Sequence, residues 1–218
     1  MMDASEPQDA SELRAWRRGE RERLLAARNA IDPATIERWR HAIDSRLEAT
    51  FPALAHSLVG FCWPIQNEYD ARHLLARMRR RGARTALPVV IAPRQPLGFR
   101  VWQPGVPLVP GVYEIPYPPA GPWVHPEVMV VPMNGFDAGC YRLGYGGGFF
   151  DRTLAARRTA CAADPSLGRP LVIGVAYECA RLATIHPQPY DIPMDAVVTE
   201  QAVYQCAPVR PGPSPAAR

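Results

Sequence analysis

The sequence predicts an α/β protein built on a mainly parallel sheet. Near-continuous apolar stretches of strand length recur along it, stretches with helical apolar spacing stand between them, and a glycine-rich loop joins one strand to a helix. With 218 residues, 47% hydrophobic and 21% charged, the chain is long enough for one domain, or at most two small ones, with a core that needs no disulfide or structural metal. Collagen-like, coiled-coil and largely disordered classes are excluded, and no internal repeat is found.

Taken in order, residues 1–10 and 207–218 read as tails too poor in apolar content to repay ordering, the second carrying Pro208, Pro211, Pro213 and Pro215. Between them lies one domain, 11–206. Residues 11–30 read as an arginine-rich helix. Asp32 is a natural N-cap for a second helix: Pro33 occupies the first turn, where its missing N–H costs nothing, and Ile31 and Ile36 are spaced for a hydrophobic staple. Ile36, Trp39, Ile43 and Leu47 then form an apolar stripe. A strand over 58–63 is followed by a helix over 70–81, with Leu74, Leu75 and Met78 on one face and Gly82 at its end. Strands are expected at 86–92, 99–102, 128–131, 171–176 and 196–199, with a helix over 149–163. Trp16, Trp39 and Trp123 are assigned to packing.

Composition narrows the function. Lysine is absent, so all 25 basic residues are arginines, and any phosphate or carboxylate must be met by guanidinium forks that never deprotonate. A net charge of +4 fits an anionic small molecule and lacks the concentrated basic face of a nucleic-acid binder. Five scattered cysteines without a C-x-x-C pair indicate neither a zinc site nor a disulfide framework. Reduced thiols, no membrane-length apolar run and a polar amino terminus lead to the expectation of a cytoplasmic protein with no membrane partner.

The most informative segment runs Arg142-Leu143-Gly144-Tyr145-Gly146-Gly147-Gly148-Phe149-Phe150-Asp151-Arg152. A strand ends, four glycines fall within five positions, and a helix begins, so bare loop N–H groups and the positive helix end form an anion cradle. Arg142 and Arg152 flank it as forks for phosphate oxygens, and Asp151 offers a hard oxygen ligand to a divalent cation. Neither the P-loop nor the dinucleotide fingerprint fits, since the first needs a lysine and the second a glycine where Phe149 stands.

This segment, together with Phe136-Asp137, resembles the signature of the 5-formyltetrahydrofolate cyclo-ligases. The resemblance extends to Arg17, Arg21 and Arg28 ahead of Asp32-Pro33, to Pro64-Ile65-Gln66-Asn67-Glu68-Tyr69-Asp70, to Leu87-Pro88, to residues 99–105, and to Tyr190-Asp191 and Asp195-Ala196-Val197-Val198-Thr199-Glu200. It implies a Rossmann-like three-layer α/β/α sandwich and an ATP- and Mg²⁺-dependent closure of 5-formyltetrahydrofolate to 5,10-methenyltetrahydrofolate. By the same resemblance, Arg142 and Asp151 are the expected catalytic pair. Arg17, Arg21, Gly144, Tyr145, Gly146, Gly147, Gly148, Phe149 and Arg152 are expected to bind ATP. Glu68, Trp63, Trp102 and Phe150 are expected to bind the reduced formylfolate, and Asp151 and Asp195 the metal.

The chain departs from the family pattern where Phe149 and Phe150 replace frequent tyrosines, Cys140 a glycine, Tyr190 a histidine and Arg17 a lysine. Two other readings stay open at this point: a paralogue that keeps the ATP site but serves another pterin- or thiamine-related pathway, and a non-catalytic phosphate- or RNA-binding module. The partners expected are ATP and a reduced formylfolate, with no nucleic acid, in a monomer or weak homodimer.

Overall fold

A computed structural model describes residue 7 and residues 9–206, which leaves all of the carboxy-terminal tail and most of the amino-terminal one outside the described residues. Helix α1 (Ala10–Asn29) starts inside the segment read as a tail, because the Asp9 side chain accepts from Ser11 N at 2.6 Å and Glu12 N at 2.9 Å and so caps it. Helix α2 (Pro33–Thr50) begins as the sequence indicates, with Asp32 accepting from Thr35 N at 2.9 Å. Strand β1 (Leu58–Phe61) leads to α3 (Ala71–Arg80), capped by Asp70 and closed by Gly82 at φ +115°, a left-handed turn that a side chain would strain.

Strands β2 (Arg84–Val90) and β3 (Leu97–Val101) form an antiparallel pair, and two short strands, β4 (Val109–Pro110) and β5 (Pro116–Tyr117), make a small hairpin within the proline-rich crossing. Beyond β6 (Trp123–Val124) the chain returns to the centre as β7 (Val128–Pro132). A second hairpin, β8 (Gly135–Phe136) with β9 (Arg142–Leu143), then leads into α4 (Phe149–Ala163). Strands β10 (Leu171–Val175), β11 (Ala196–Val198) and β12 (Val203–Gln205) complete the chain. The short strands β4, β5, β6, β8, β9 and β12 were not expected, since two or three residues carry no readable period.

The main sheet has the order β12-β11-β10-β7-β1-β2-β3-β6. Its centre is parallel, from β11 through β10, β7 and β1 to β2, and both edges are antiparallel. Alternate strand residues divide between two cores. Val59, Phe61, Val130 and Ile173 pack against Ile43 and Leu47 of α2 and Leu74, Leu75 and Met78 of α3. Leu58, Met129, Val131 and Val172 pack on the other face with Leu154 of α4. The result is a three-layer α/β/α sandwich with α1 laid across the end of the sheet, where Leu24 meets Leu143 and Ile185.

The tryptophans behave unequally. Trp39 packs against Tyr177 with ring centres 5.1 Å apart, and Trp16 meets His186 edge-on at 4.7 Å. Trp123 is 53% exposed and lies under Arg100, whose guanidinium carbon is 4.2 Å from the ring centre, so its assignment to packing is corrected. The expectation of wholly reduced cysteines is corrected at one pair: Cys140 and Cys206 join as a disulfide, their Cα atoms 6.1 Å apart, while Cys62, Cys161 and Cys179 are free. Among the described residues no helix is long and apolar enough to cross a membrane.

Helices α2 and α3 are tied by a buried charge cluster. Asp44 accepts from Tyr69 Oη at 2.5 Å, Arg40 Nη1 at 2.8 Å and Arg77 Nη2 at 3.1 Å. Asp44 is 2% exposed and Arg40 6%, so removing the carboxylate strips the Tyr69 phenol and Arg40 Nη1 of their acceptor in a low-dielectric layer, while Glu37 still holds Arg40 and Glu48 still holds Arg77. Asp44→Ala is expected to lower unfolding stability by about 3–5 kcal/mol, read by urea denaturation. A loss below about 1 kcal/mol, the range of exposed pairs, would mean that solvent reaches the cluster.

Candidate active site

Strands β1 and β7 are parallel neighbours whose onward connections diverge. From β1 the chain passes through α3 to β2 on one side, whereas from β7 it passes through α4 to β10 on the other, with α3 and α4 on opposite faces. Such a divergence opens a crevice beyond the carboxyl ends of the two strands, the usual ligand position in open α/β sheets. The loop carrying Glu68 leaves β1 there, and the hairpin carrying the glycine loop leaves β7 there.

The glycine loop is held from beneath. At the tip of its hairpin the buried Asp137 carboxylate accepts from Gly139 N at 2.9 Å, Tyr141 N at 3.2 Å and Ile185 N at 3.0 Å. Cys140 adopts φ +60° to close this turn. Gly146 (φ +94°) and Gly148 (φ +63°) take left-handed conformations, and Gly148 caps α4 with no side chain bonded to the helix start. The first-turn N–H groups of α4 therefore present positive charge at the mouth of the crevice.

Of the arginines expected on phosphate, Arg21 best fits that task. It is half-buried, Nε donates to Gly144 O at 2.6 Å, and its guanidinium forms no ion pair among the described residues. Burial lowers its pKa, Arg17 adds to the lowering and Asp191 opposes it, yet an arginine stays charged throughout. Arg17 instead ties α1 to the segment after β10, with Nη2 2.6 Å from Asp191 Oδ2 and 2.8 Å from His186 O. Arg152 donates to Gly147 O across the cradle and lies 5.2 Å from the ring centre of Phe149.

Arg142 and Asp151 are brought together, but as partners of each other. Arg142 Nη2 lies 2.7 Å from Asp151 Oδ2 and Nη1 donates to Ile192 O at 3.0 Å, while Asp151 Oδ1 accepts from Ile192 N at 3.1 Å. Burial pulls the Arg142 pKa down and Asp151 opposes that pull. Phe150 lies against Arg142, its ring centre 5.9 Å from the guanidinium carbon, and packs partly into the α4 side of the core.

Asp195 is separated from this pair. It stands just before β11, at the amino end of the parallel strands, where it ion-pairs with Arg169 and accepts from Val172 N at 2.8 Å. The glycine loop lies beyond the carboxyl ends, so the expectation that Asp195 and Asp151 share one metal is corrected by the direction of the sheet.

On the β1 side Glu68 is 6% exposed. Its Oε2 accepts from Ile65 N at 3.0 Å and its Oε1 from Tyr145 Oη at 2.8 Å. Burial raises its pKa against the opposing pull of these two donors and of Arg28. Arg28, also buried, donates from Nη2 to Tyr145 Oη at 2.8 Å and from Nε to Gln66 O at 2.8 Å. Trp63 and Trp102 meet edge-on at 5.6 Å, with Arg72 4.4 Å over Trp63 and Arg79 5.7 Å over Trp102, but Trp102 is 6% exposed in the α2–α3 core and bonds through its backbone to Thr85 near the amino end of β2, so its expected place at the substrate is corrected.

Two further polar residues belong to the crevice. A narrow cleft is lined by Leu24, Arg28, Glu68, Asn134 and Tyr177 among others. Asn134 Oδ1 and Tyr177 Oη are buried in it without hydrogen-bond partners, and burial pushes the Tyr177 hydroxyl up to about 12. Such groups are costly unless something pairs with them. Sequence reasoning missed both, and the one available signal was a polar residue two positions beyond a fully apolar strand.

With the geometry established, the likeness to known proteins is informative. A model of the 5-formyltetrahydrofolate cyclo-ligase family matches residues 13–200. The 5-formyltetrahydrofolate cyclo-ligase of Escherichia coli K12 is 28% identical over 186 residues, covering 82% of this chain and 97% of that protein. That of Mycolicibacterium smegmatis is 32% identical over 146 residues, covering 62% and 70%. The solution structure of Aquifex aeolicus 5,10-methenyltetrahydrofolate synthetase superposes with a TM-score of 0.70 at 25% identity, covering 91% of this chain and 95% of that one. The Mycoplasma pneumoniae 5,10-methenyltetrahydrofolate synthetase shares the fold, with a TM-score of 0.64 at 19% identity, covering 84% and 98%. The chain belongs to the 5-formyltetrahydrofolate cyclo-ligase family.

Proposed function

We propose that this protein converts 5-formyltetrahydrofolate to 5,10-methenyltetrahydrofolate with consumption of ATP and release of ADP and phosphate. The observation that carries the reading is the pairing, across one switch-point crevice, of a glycine-lined anion cradle with a buried carboxylate on the facing loop. An anion seat alone fits any phosphate ester. A buried Glu68 with acceptor positions to spare calls for a ligand with N–H donors, which a pterin supplies.

The groups present account for the chemistry. A formamide oxygen leaves poorly, so transfer of the terminal phosphoryl group of ATP to it converts it into phosphate, a good leaving group. N10 of the folate then bonds to the formyl carbon and gives up its proton as the C–O bond breaks, the departing phosphate taking that proton. Phosphoryl transfer rests mainly on positioning and charge neutralisation. Here the amides of residues 144–148 and the α4 amino end hold the phosphates, while Arg21 from α1 and Arg152 from α4 neutralise them. Phe149 and Trp63 provide apolar walls.

Asp151 fits Mg²⁺, because this ion is commonly held by one or two carboxylates together with substrate phosphates. Its carboxylate sits in the first turn of α4 beside the cradle, oriented by Arg142 and Ile192 N. Among the described residues there is no group of three or more His, Cys, Asp or Glu suited to a metal. When bound, the ion neutralises phosphate charge, and Arg142 holds the Asp151 carboxylate in place. The reading places the protein in the cytoplasm as a monomer or weak homodimer with no nucleic-acid or membrane partner.

Three measurements test it. Purified protein mixed with 5-formyltetrahydrofolate, ATP and Mg²⁺ should generate the near-ultraviolet absorbance of the methenyl product, and none without ATP; folded protein that binds ATP but yields no product overturns the reading. Asp151→Asn should lower kcat by about 100-fold or more, the scale of a lost transition-state electrostatic contact, a loss larger than the destabilisation expected because Arg142 Nη2 gives up its ion pair. An unaltered rate at saturating Mg²⁺ removes Asp151 from that role. Glu68→Gln should raise KM for the formylfolate about tenfold, as expected for a hydrogen bond to a charged group, and leave the affinity for a non-hydrolysable ATP analogue, measured without folate, within about twofold; an equal loss of both would point to a folding defect.

A further inference from the structure

One side chain bridges the two halves of the crevice. Tyr145 lies in the glycine loop, yet its hydroxyl accepts from Arg28 Nη2 and donates to Glu68 Oε1, each at 2.8 Å. The residue is 45% exposed overall while its hydroxyl sits between two buried groups, so the ring spans from the mouth of the cradle into the cleft. Neither partner is local, since Tyr145 stands 117 residues from Arg28 and 77 from Glu68.

The donor count gives this bridge a purpose. An ionised carboxylate offers roughly four lone-pair positions. Ile65 N occupies one on Oε2 and Tyr145 Oη one on Oε1, which fixes the plane of the carboxylate and leaves one acceptor on each oxygen. Two coplanar acceptors side by side match a pair of adjacent N–H groups on an amidine-like ring edge, much as they match a guanidinium fork.

We propose that Tyr145 is a positioning residue that couples the two substrates: nucleotide phosphates seated on the glycine loop hold the Tyr145 hydroxyl in place, and that hydroxyl aims Glu68 at an N–H pair on the pterin ring. The inference deepens the proposed function and rests on it. It requires that each ligand tighten the other by the same factor, because coupling between two sites is reciprocal. Arg28 serves the bridge by holding the phenol oxygen from its other side.

The charged and titratable groups facing Glu68 are Arg28 from α1, Tyr145 from the glycine loop, Tyr177 from the segment after β10 and Cys62 on its own loop. Burial raises the Glu68 pKa and the Tyr145 hydroxyl works against that rise. Removing the hydroxyl therefore raises it further. Since the ionised form is the one that accepts both N–H groups, folate binding in the variant should fail at a higher pH as the solution is acidified.

The test uses Tyr145→Phe, which keeps the ring and every backbone amide of the cradle. Formylfolate affinity is titrated for both proteins with and without a non-hydrolysable ATP analogue, and the acid limb of folate binding is recorded. In the parent protein the analogue should tighten folate binding at least about fivefold, the lower end of typical site coupling. In Tyr145→Phe that factor should fall to near one, with analogue affinity alone kept within about twofold and the acid limb moved to higher pH. Undiminished coupling in the variant, or no coupling in a parent protein that binds both ligands, overturns the role of Tyr145 and leaves the proposed function standing. A parent protein that binds the analogue but no formylfolate overturns both.

Discussion

Much of this molecule depends on the opposite departures taken by β1 and β7. They lie side by side in register, Val59 against Val128 and Phe61 against Val130, and β1 is buried throughout and β7 at every residue but Pro132. The segments beyond them are free to diverge because right-handed crossovers on opposite faces carry the chain away in opposite directions. Two loops of unrelated sequence are thereby forced to face each other across a gap that neither helix layer fills. The glycines and Glu68 would serve no joint purpose on a sheet wound in one direction only.

Charge is arranged in that gap by a chain with only one kind of permanent cation. Arginine suits the task because each guanidinium can serve two acceptors in fixed directions, and several here do. Arg142 spans Asp151 and the Ile192 carbonyl, Arg28 spans Gln66 and Tyr145, and Arg17 spans Asp191 and the His186 carbonyl. These three are engaged before any ligand arrives, which leaves Arg21, anchored by one nitrogen to Gly144 O, with donors to spare. The division of labour between fixed and uncommitted guanidinium groups is set by the fold, since all four look alike along the chain.

That contrast explains how far the sequence could be read. The bounds of α4, the cap of α2 and the glycine loop were legible because each depends on neighbours within a few residues. Glu68 and the family were legible through a resemblance spread over most of the chain. The Arg28–Tyr145–Glu68 bridge was not, because its members are distant in sequence and Tyr145 carries no local sign that its side chain leaves the cradle. Asp195 was misplaced for a related reason: its motif lies near the end of the chain beside other matching residues, yet strand direction puts it at the far end of the sheet. Asn134 and Tyr177 became visible only when burial exposed their missing partners.

The ties from α1 into the crevice span very different stretches of chain: Arg28 reaches Gln66, 38 residues on, Arg21 reaches Gly144, 123 residues on, and Arg17 reaches Ile185 and Asp191, up to 174 residues on. Contacts of such separation form only after long loops have closed, and loop closure slows folding. During synthesis the first helix therefore leaves the ribosome well before its partners exist, with Leu24 and the buried Arg28 still uncovered. The cradle is consequently a late-assembling part of the molecule, and a nascent chain halted after the glycine loop but before Asp191 holds that loop without the full set of contacts that seat α1 upon it.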